Sequence, residues 1–253
     1  MREHVGAGES SRSGRLVVSA IGVLTLGLLV ASAGCGGGDE GAGPTTSASG
    51  PTSTRAATAC SEDEAEAVTV TTQDGTELDA ALVGAGDVGI VLGHQLGSDM
   101  CAWVPFATQL AKRNLSGLAI NFVSASPDKD MVAGAAELQR RGAKRIFLVG
   151  ASMGGTAALV AAADIDVAGV AALSAPQEFS GLDALPAVRD LEVPVLFLVG
   201  RQDESFARDA RRLFQVTNSP DKDLVVTSGA EHGTDLLGDP QAKRALVEFL
   251  VGG

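Results

Sequence analysis

Ser152 sits in Gly150-Ala151-Ser152-Met153-Gly154-Gly155, a G-x-S-x-G motif. It runs straight out of the apolar stretch Ile146-Phe147-Leu148-Val149 and into an Ala-rich segment with helical character. Strand, tight turn and helix form the frame in which such a serine is a nucleophile. The turn crowds strand against helix, so the positions two before and two after the serine must lack side chains, and Gly150 and Gly154 meet that need. The helix dipole and its free N–H groups favour negative charge developing at the serine. A Gly-rich turn without chemistry, or a phosphate loop, is the competing reading. A phosphate loop would carry Lys after its last Gly, where this chain has Thr156.

A serine hydroxyl needs a general base within hydrogen-bond reach. Beyond the leader the chain has two His, His94 and His232. His232 lies in Ser228-Gly229-Ala230-Glu231-His232-Gly233, after the last strand candidate and before the last helix candidate. A histidine is the side chain suited to accept and return a proton at neutral pH.

These residues need a scaffold. Strands are expected at Ala67–Thr72, Leu78–Val83, Val88–Leu92, Gly117–Phe122, Arg145–Val149, Val167–Leu173, Val193–Val199 and Leu224–Thr227. The later runs are continuously apolar, as in parallel strands covered on both faces. Helices are expected at Met100–Arg113, Met131–Arg141, Gly154–Ala163, Ser205–Gln215 and Pro240–Leu250. The alternation implies βαβ units and a mainly parallel sheet. The short Gln73-Asp74-Gly75 connection makes the first pair an antiparallel hairpin.

Taken together, the elbow, the antiparallel start and the two later loops resemble the α/β-hydrolase superfamily over roughly Val68 to Val251. Within it the chain is similar to small, lid-poor esterases and dienelactone-hydrolase-like proteins, although dienelactone hydrolases proper use Cys where this chain has Ser152. The resemblance implies an α/β fold with an eight-stranded, mostly parallel sheet, helices on both faces and a minimal lid, since only Ser174 to Glu192 separate the sixth and seventh strands. It implies the chain order Ser, acid, His. Asp203, after the seventh strand, is then the acid, ahead of Glu204, Glu178 and Asp183, and Glu231 is a solvated charge. It also implies an oxyanion hole made by the N–H of Met153 and an N–H from His94-Gln95-Leu96-Gly97, either Leu96 or Gln95. Related enzymes usually read His-Gly-x-Gly there, so Gln95 is a departure, and His94 is expected to brace the loop. Trp103 and Phe106 have the spacing of packing residues.

The expected activity is hydrolysis of carboxylic esters through an acyl-enzyme. Amide or peptide cleavage, acyl transfer, or a silent tethered binding module are the alternatives. No metal-ligand spacing or dinucleotide fingerprint is present, so no cofactor is expected. A formal net charge of -12 with no Tyr excludes nucleic acid as a main partner. A small-molecule ester or an envelope-associated acyl group is the expected substrate, and a monomer the expected state.

Residues 1–34 read as a signal peptide of lipoprotein type: Arg12 and Arg15 precede an uncharged run from Leu16 to Gly34. Its core, Leu16 to Val30, is shorter than the ~20 residues of a spanning helix. Ala31-Ser32-Ala33-Gly34-Cys35 resembles a bacterial lipobox with Cys35 as the lipidated residue, though Ser32 stands where such boxes usually carry Leu. Residues 35–60 form a Gly/Ser/Thr/Pro tether, and 61–253 the catalytic domain. The domain is therefore expected outside the cytoplasm, lipid-anchored to the cell membrane or secreted. In that oxidising space Cys60 and Cys101 are expected to form a disulfide, the alternative being two unrelated buried thiols.

Overall fold

The structure is a computed structural model that describes Cys60 and residues 65–252. The expected leader over residues 1–34, the expected lipidation site Cys35 and the expected tether up to residue 59 lie outside the described residues.

Eight strands form one sheet: β1 (Glu66–Thr71), β2 (Glu77–Val83), β3 (Val88–Gly93), β4 (Leu115–Ile120), β5 (Arg145–Ala151), β6 (Gly169–Leu173), β9 (Val195–Gly200) and β10 (Lys222–Thr227). Their order is β1-β2-β4-β3-β5-β6-β9-β10. Strand β2 runs antiparallel to both neighbours, and every pair from β4 to β10 is parallel. The fold is an α/β-hydrolase fold, with the sheet beginning antiparallel and continuing parallel as the sequence indicates.

Side chains alternate across the strands and so fill two cores. On β5, Ile146 and Leu148 enter one core while Phe147, Val149 and Ala151 enter the other. The first core is closed by α2 (Pro127–Arg140), α3 (Met153–Asp164), α4 (Ala184–Asp190) and α5 (Glu204–Val216), through residues such as Met131, Leu159, Val188 and Leu213. The second is closed by α1 (Val104–Ala111) and α6 (Pro240–Gly252), with Phe106, Leu110, Leu246 and Leu250. Trp103 and Phe106 are both buried, so these aromatics pack rather than line an entrance. Among the described residues no helix is long and apolar enough to cross a membrane.

Several features depart from the sequence reading; the helix expected over Met100–Arg113 is a 3-10 turn, Met100–Trp103, followed by α1, and the strand expected at Gly117–Phe122 is β4, two residues earlier. Helix α2 starts at Pro127 rather than Met131, because Pro at N1 and the acidic pair Asp128 and Asp130 build a first turn that apolar periodicity does not mark. The segment between β6 and β9 holds the two-residue strands β7 (Glu178–Phe179) and β8 (Leu182–Asp183) and then α4. A 3-10 helix, Gly233–Gly238, follows His232 directly.

Candidate active site

Strands β5, β9 and β10 all end at the same edge of the sheet, and each delivers one candidate residue there. Ser152 follows β5, Asp203 follows β9, and His232 follows β10.

At the elbow, Ser152 has φ 49 and ψ −115, a backbone conformation that side chains rarely adopt. The conformation is held from both sides. The Ser152 N–H donates to the Leu173 carbonyl of β6 at 2.7 Å, and the Ser152 carbonyl accepts from the Gly155 and Thr156 N–H groups. The crowding expected of the motif is present: a Cβ on Gly150 would lie 1.9 Å from the Gly154 carbonyl oxygen. A Cβ on Gly154 would lie 2.4 Å from the Gly93 carbonyl oxygen, so the start of α3 is pressed against the end of β3. That contact brings the 94–97 loop alongside the Ser152 turn. The N–H of Met153, first of α3, has no carbonyl within the helix to bond.

His232 and Asp203 meet directly. His232 Nδ1–H donates to Asp203 Oδ2 at 2.9 Å, which fixes the tautomer and leaves Nε2 available. The Asp203 side chain is 11% exposed and that of His232 33%. The two loops are fastened by their backbones: Arg201 N–H donates to Thr227 and Gln202 N–H to Gly229, while the Gln202 side chain reaches the Ser228 carbonyl. Phe206, in the first turn of α5, lays its ring against the imidazole with centroids 4.3 Å apart. The other acid candidates are engaged elsewhere. Asp183 accepts from the Leu185 N–H as the cap of α4, and Glu178, Glu204 and Glu231 are exposed.

The 3-10 helix after His232 packs against β5, β6 and β9, which draws the histidine loop back over the strand that leads to Ser152. Among the described residues no hydrogen bond joins the Ser152 hydroxyl to His232; such catalytic bonds commonly tighten only in the substrate complex. Ser152 itself is 8% exposed.

The loop after β3 turns at Gln95–Ser98, where the Ser98 N–H donates to the Gln95 carbonyl at 3.2 Å and Gly97 takes φ 79. Glycine suits that third turn position, and the turn leaves the Leu96 N–H outside its own bonding. Leu96 is 71% exposed. His94 is fully engaged: its Nε2 accepts the Phe122 N–H at 3.2 Å, and Nδ1–H donates to the Gln95 carbonyl at 2.8 Å. Burial holds its pKa below the ordinary histidine value. It braces the loop and has no nitrogen left for proton transfer.

Two side-chain contacts at this site, those of Phe206 and Gln95, escape a reading of the sequence. Phe206 carried a faint signal, since it lies three positions after Asp203 and so one turn along the same helix. Gln95 carried a stronger one, as the residue that departs from the glycine usual at its position. Its Oε1 accepts from both the N–H and the hydroxyl of Thr234, each at 3.1 Å. Cys60 and Cys101 are joined by a disulfide that ties the chain preceding β1 to the 3-10 turn Met100–Trp103.

Several solved structures share this architecture. An esterase from Pyrococcus furiosus superposes with a TM-score of 0.67 at 21% identity, over 75% of this chain and 91% of that one. A dienelactone hydrolase from Anabaena variabilis gives 0.60 at 21% identity, over 73% and 93%. A monoacylglycerol lipase from Paleococcus ferrophilus gives 0.60 at 21%, over 70% and 99%. At these identities the likeness is one of fold. No curated protein sequence matches the chain significantly. The sequence profile of the dienelactone hydrolase family matches residues 106–240, more than half of the chain, which spans the nucleophile turn and both later loops. The chain is a hydrolase and belongs to the dienelactone hydrolase family.

Proposed function

We propose that the protein cleaves carboxylic esters through an acyl-enzyme formed on Ser152. His232 Nε2 takes the hydroxyl proton as Ser152 Oγ attacks the ester carbonyl. The resulting oxyanion is held by the Met153 N–H together with that of Leu96, or of its neighbour Gln95. His232 then returns the proton to the departing alcohol, and the acyl group remains on Ser152. Water, deprotonated by the same imidazole, attacks the acyl carbon and frees the acid and the serine. Asp203 orients the imidazole and stabilises its charged form.

The observation that carries this reading is the 2.9 Å bond between His232 Nδ1 and Asp203 Oδ2, made across 29 residues of chain at the edge where the strained serine stands. Substrate shape follows from the segment between β6 and β9. It contains only a minimal hairpin and the seven-residue α4, too little to cap a long acyl chain. Short acyl esters are therefore the proposed substrates.

A fluorophosphonate probe and p-nitrophenyl esters of increasing acyl length test both points. Labelling of the wild type and none of Ser152→Ala is expected, with turnover of the acetate ester falling at least about a thousandfold in the variant. A wild type that takes no label would leave a binding module instead of an enzyme. A strong preference for long acyl chains would remove the proposal about short substrates.

A further inference from the structure

We propose that Gln95 is a positioning residue, whose carboxamide couples the oxyanion loop to the catalytic histidine loop. The inference rests on the hydrolase reading above and extends it to the Gln95 side chain, which bonds Thr234 and not Ser152 or His232.

The geometry is specific. His232 stands at the N-cap of the 3-10 helix Gly233–Gly238, and its side chain makes no capping bond because Nδ1 is committed to Asp203. The first N–H groups of any helix lack partners within it. Here Gln95 supplies the missing acceptor from a loop 139 residues earlier, taking the Thr234 N–H and Thr234 hydroxyl on one oxygen. The carboxamide lies directly over Gly233, where a Cβ would come 2.7 Å from Oε1. Gly233 also has φ 59, a conformation that favours glycine, and a side chain there would displace the Gln95 carboxamide.

The same residue is fixed on its other side. The Gln95 carbonyl accepts from His94 Nδ1–H and from the Ser98 N–H, and so belongs to the turn that presents the proposed Leu96 donor. One residue thus holds the oxyanion turn by its backbone and the histidine loop by its side chain. A shift of either loop must move the other. The glycine usual at this position offers no side chain to make the bond.

Both loops must hold their geometry at the transition state, and misplacement by about 1 Å can cost on the order of 100-fold in rate. Gln95→Met keeps the size of the side chain and removes the acceptor. Its kcat for a short p-nitrophenyl ester is expected to fall about 10- to 100-fold with KM within about twofold. Fluorophosphonate labelling should slow in parallel, and the Thr234 amide should exchange its hydrogen faster. Thr234→Val removes only the hydroxyl half of the tie and is expected to give a smaller loss of kcat. The double variant should be no slower than Gln95→Met alone, because both changes act through one contact.

An unchanged kcat in folded Gln95→Met, or losses that multiply in the double variant, overturns the proposal. A lowered melting temperature with kcat intact also overturns it, since the tie would then be structural only. If Gln95→Met does not fold, Thr234→Val decides by itself: kcat reduced at constant KM supports the coupling and an unchanged kcat rejects it. A wild type without esterase activity or label uptake would instead reject the hydrolase reading, which separates the two failures.

Discussion

A histidine that both accepts and donates within a buried loop cannot take up a second proton without placing an N–H against the Phe122 N–H. This is the position of His94, whose pKa burial pushes below the ordinary value of 6.5. In the unfolded chain the same imidazole binds its proton at higher pH. The neutral form therefore supports the fold above about pH 6.5, and that support is lost as the pH falls below it. Thermal melts at pH 7.5 and pH 5 should show a larger drop in melting temperature for the wild type than for His94→Gln, which cannot protonate. Equal drops would mean that His94 is solvated and does not brace the loop. His232 is present in both proteins, so the difference isolates His94.

Where α3 meets the end of β3, backbone touches backbone and nothing can yield. Gly154→Ala would put a methyl group 2.4 Å from the Gly93 carbonyl oxygen, and is expected to destabilise the fold by about 3 kcal/mol or more. Gly238→Ala, with nothing within 4 Å, is the matched control and should change stability by less than about 0.5 kcal/mol. Chemical denaturation of the two variants compares them, and similar midpoints would refute the clash. The eight strands of the sheet were legible because the central ones are short apolar runs bounded by turn residues and β1 alternates polar with apolar side chains. Helix α4 was not, since seven residues interrupted by Pro186 show no stable period. The places of Ser152, Asp203 and His232 in the loops after β5, β9 and β10 were legible from the order of the strand candidates. The Gln95–Thr234 bond was not, because its partners are far apart in the chain and no local pattern links them.

At the scale of the molecule, the Cys60–Cys101 bond closes a loop spanning 41 positions that contains β1, β2 and β3. Such a closure restricts the unfolded chain and typically contributes about 3 kcal/mol. Replacing both cysteines by serine should lower stability by that order in urea titrations, and unchanged stability would show the bond to be dispensable. The bond also determines how the domain would bear a mechanical load. A pull between the two chain ends would cross from Cys60 to Cys101 through sulfur, so β1, β2 and β3 would be shielded from tension. The force would enter instead at the 3-10 turn that follows the Gln95–Ser98 turn, a few residues from the backbone proposed to receive the oxyanion.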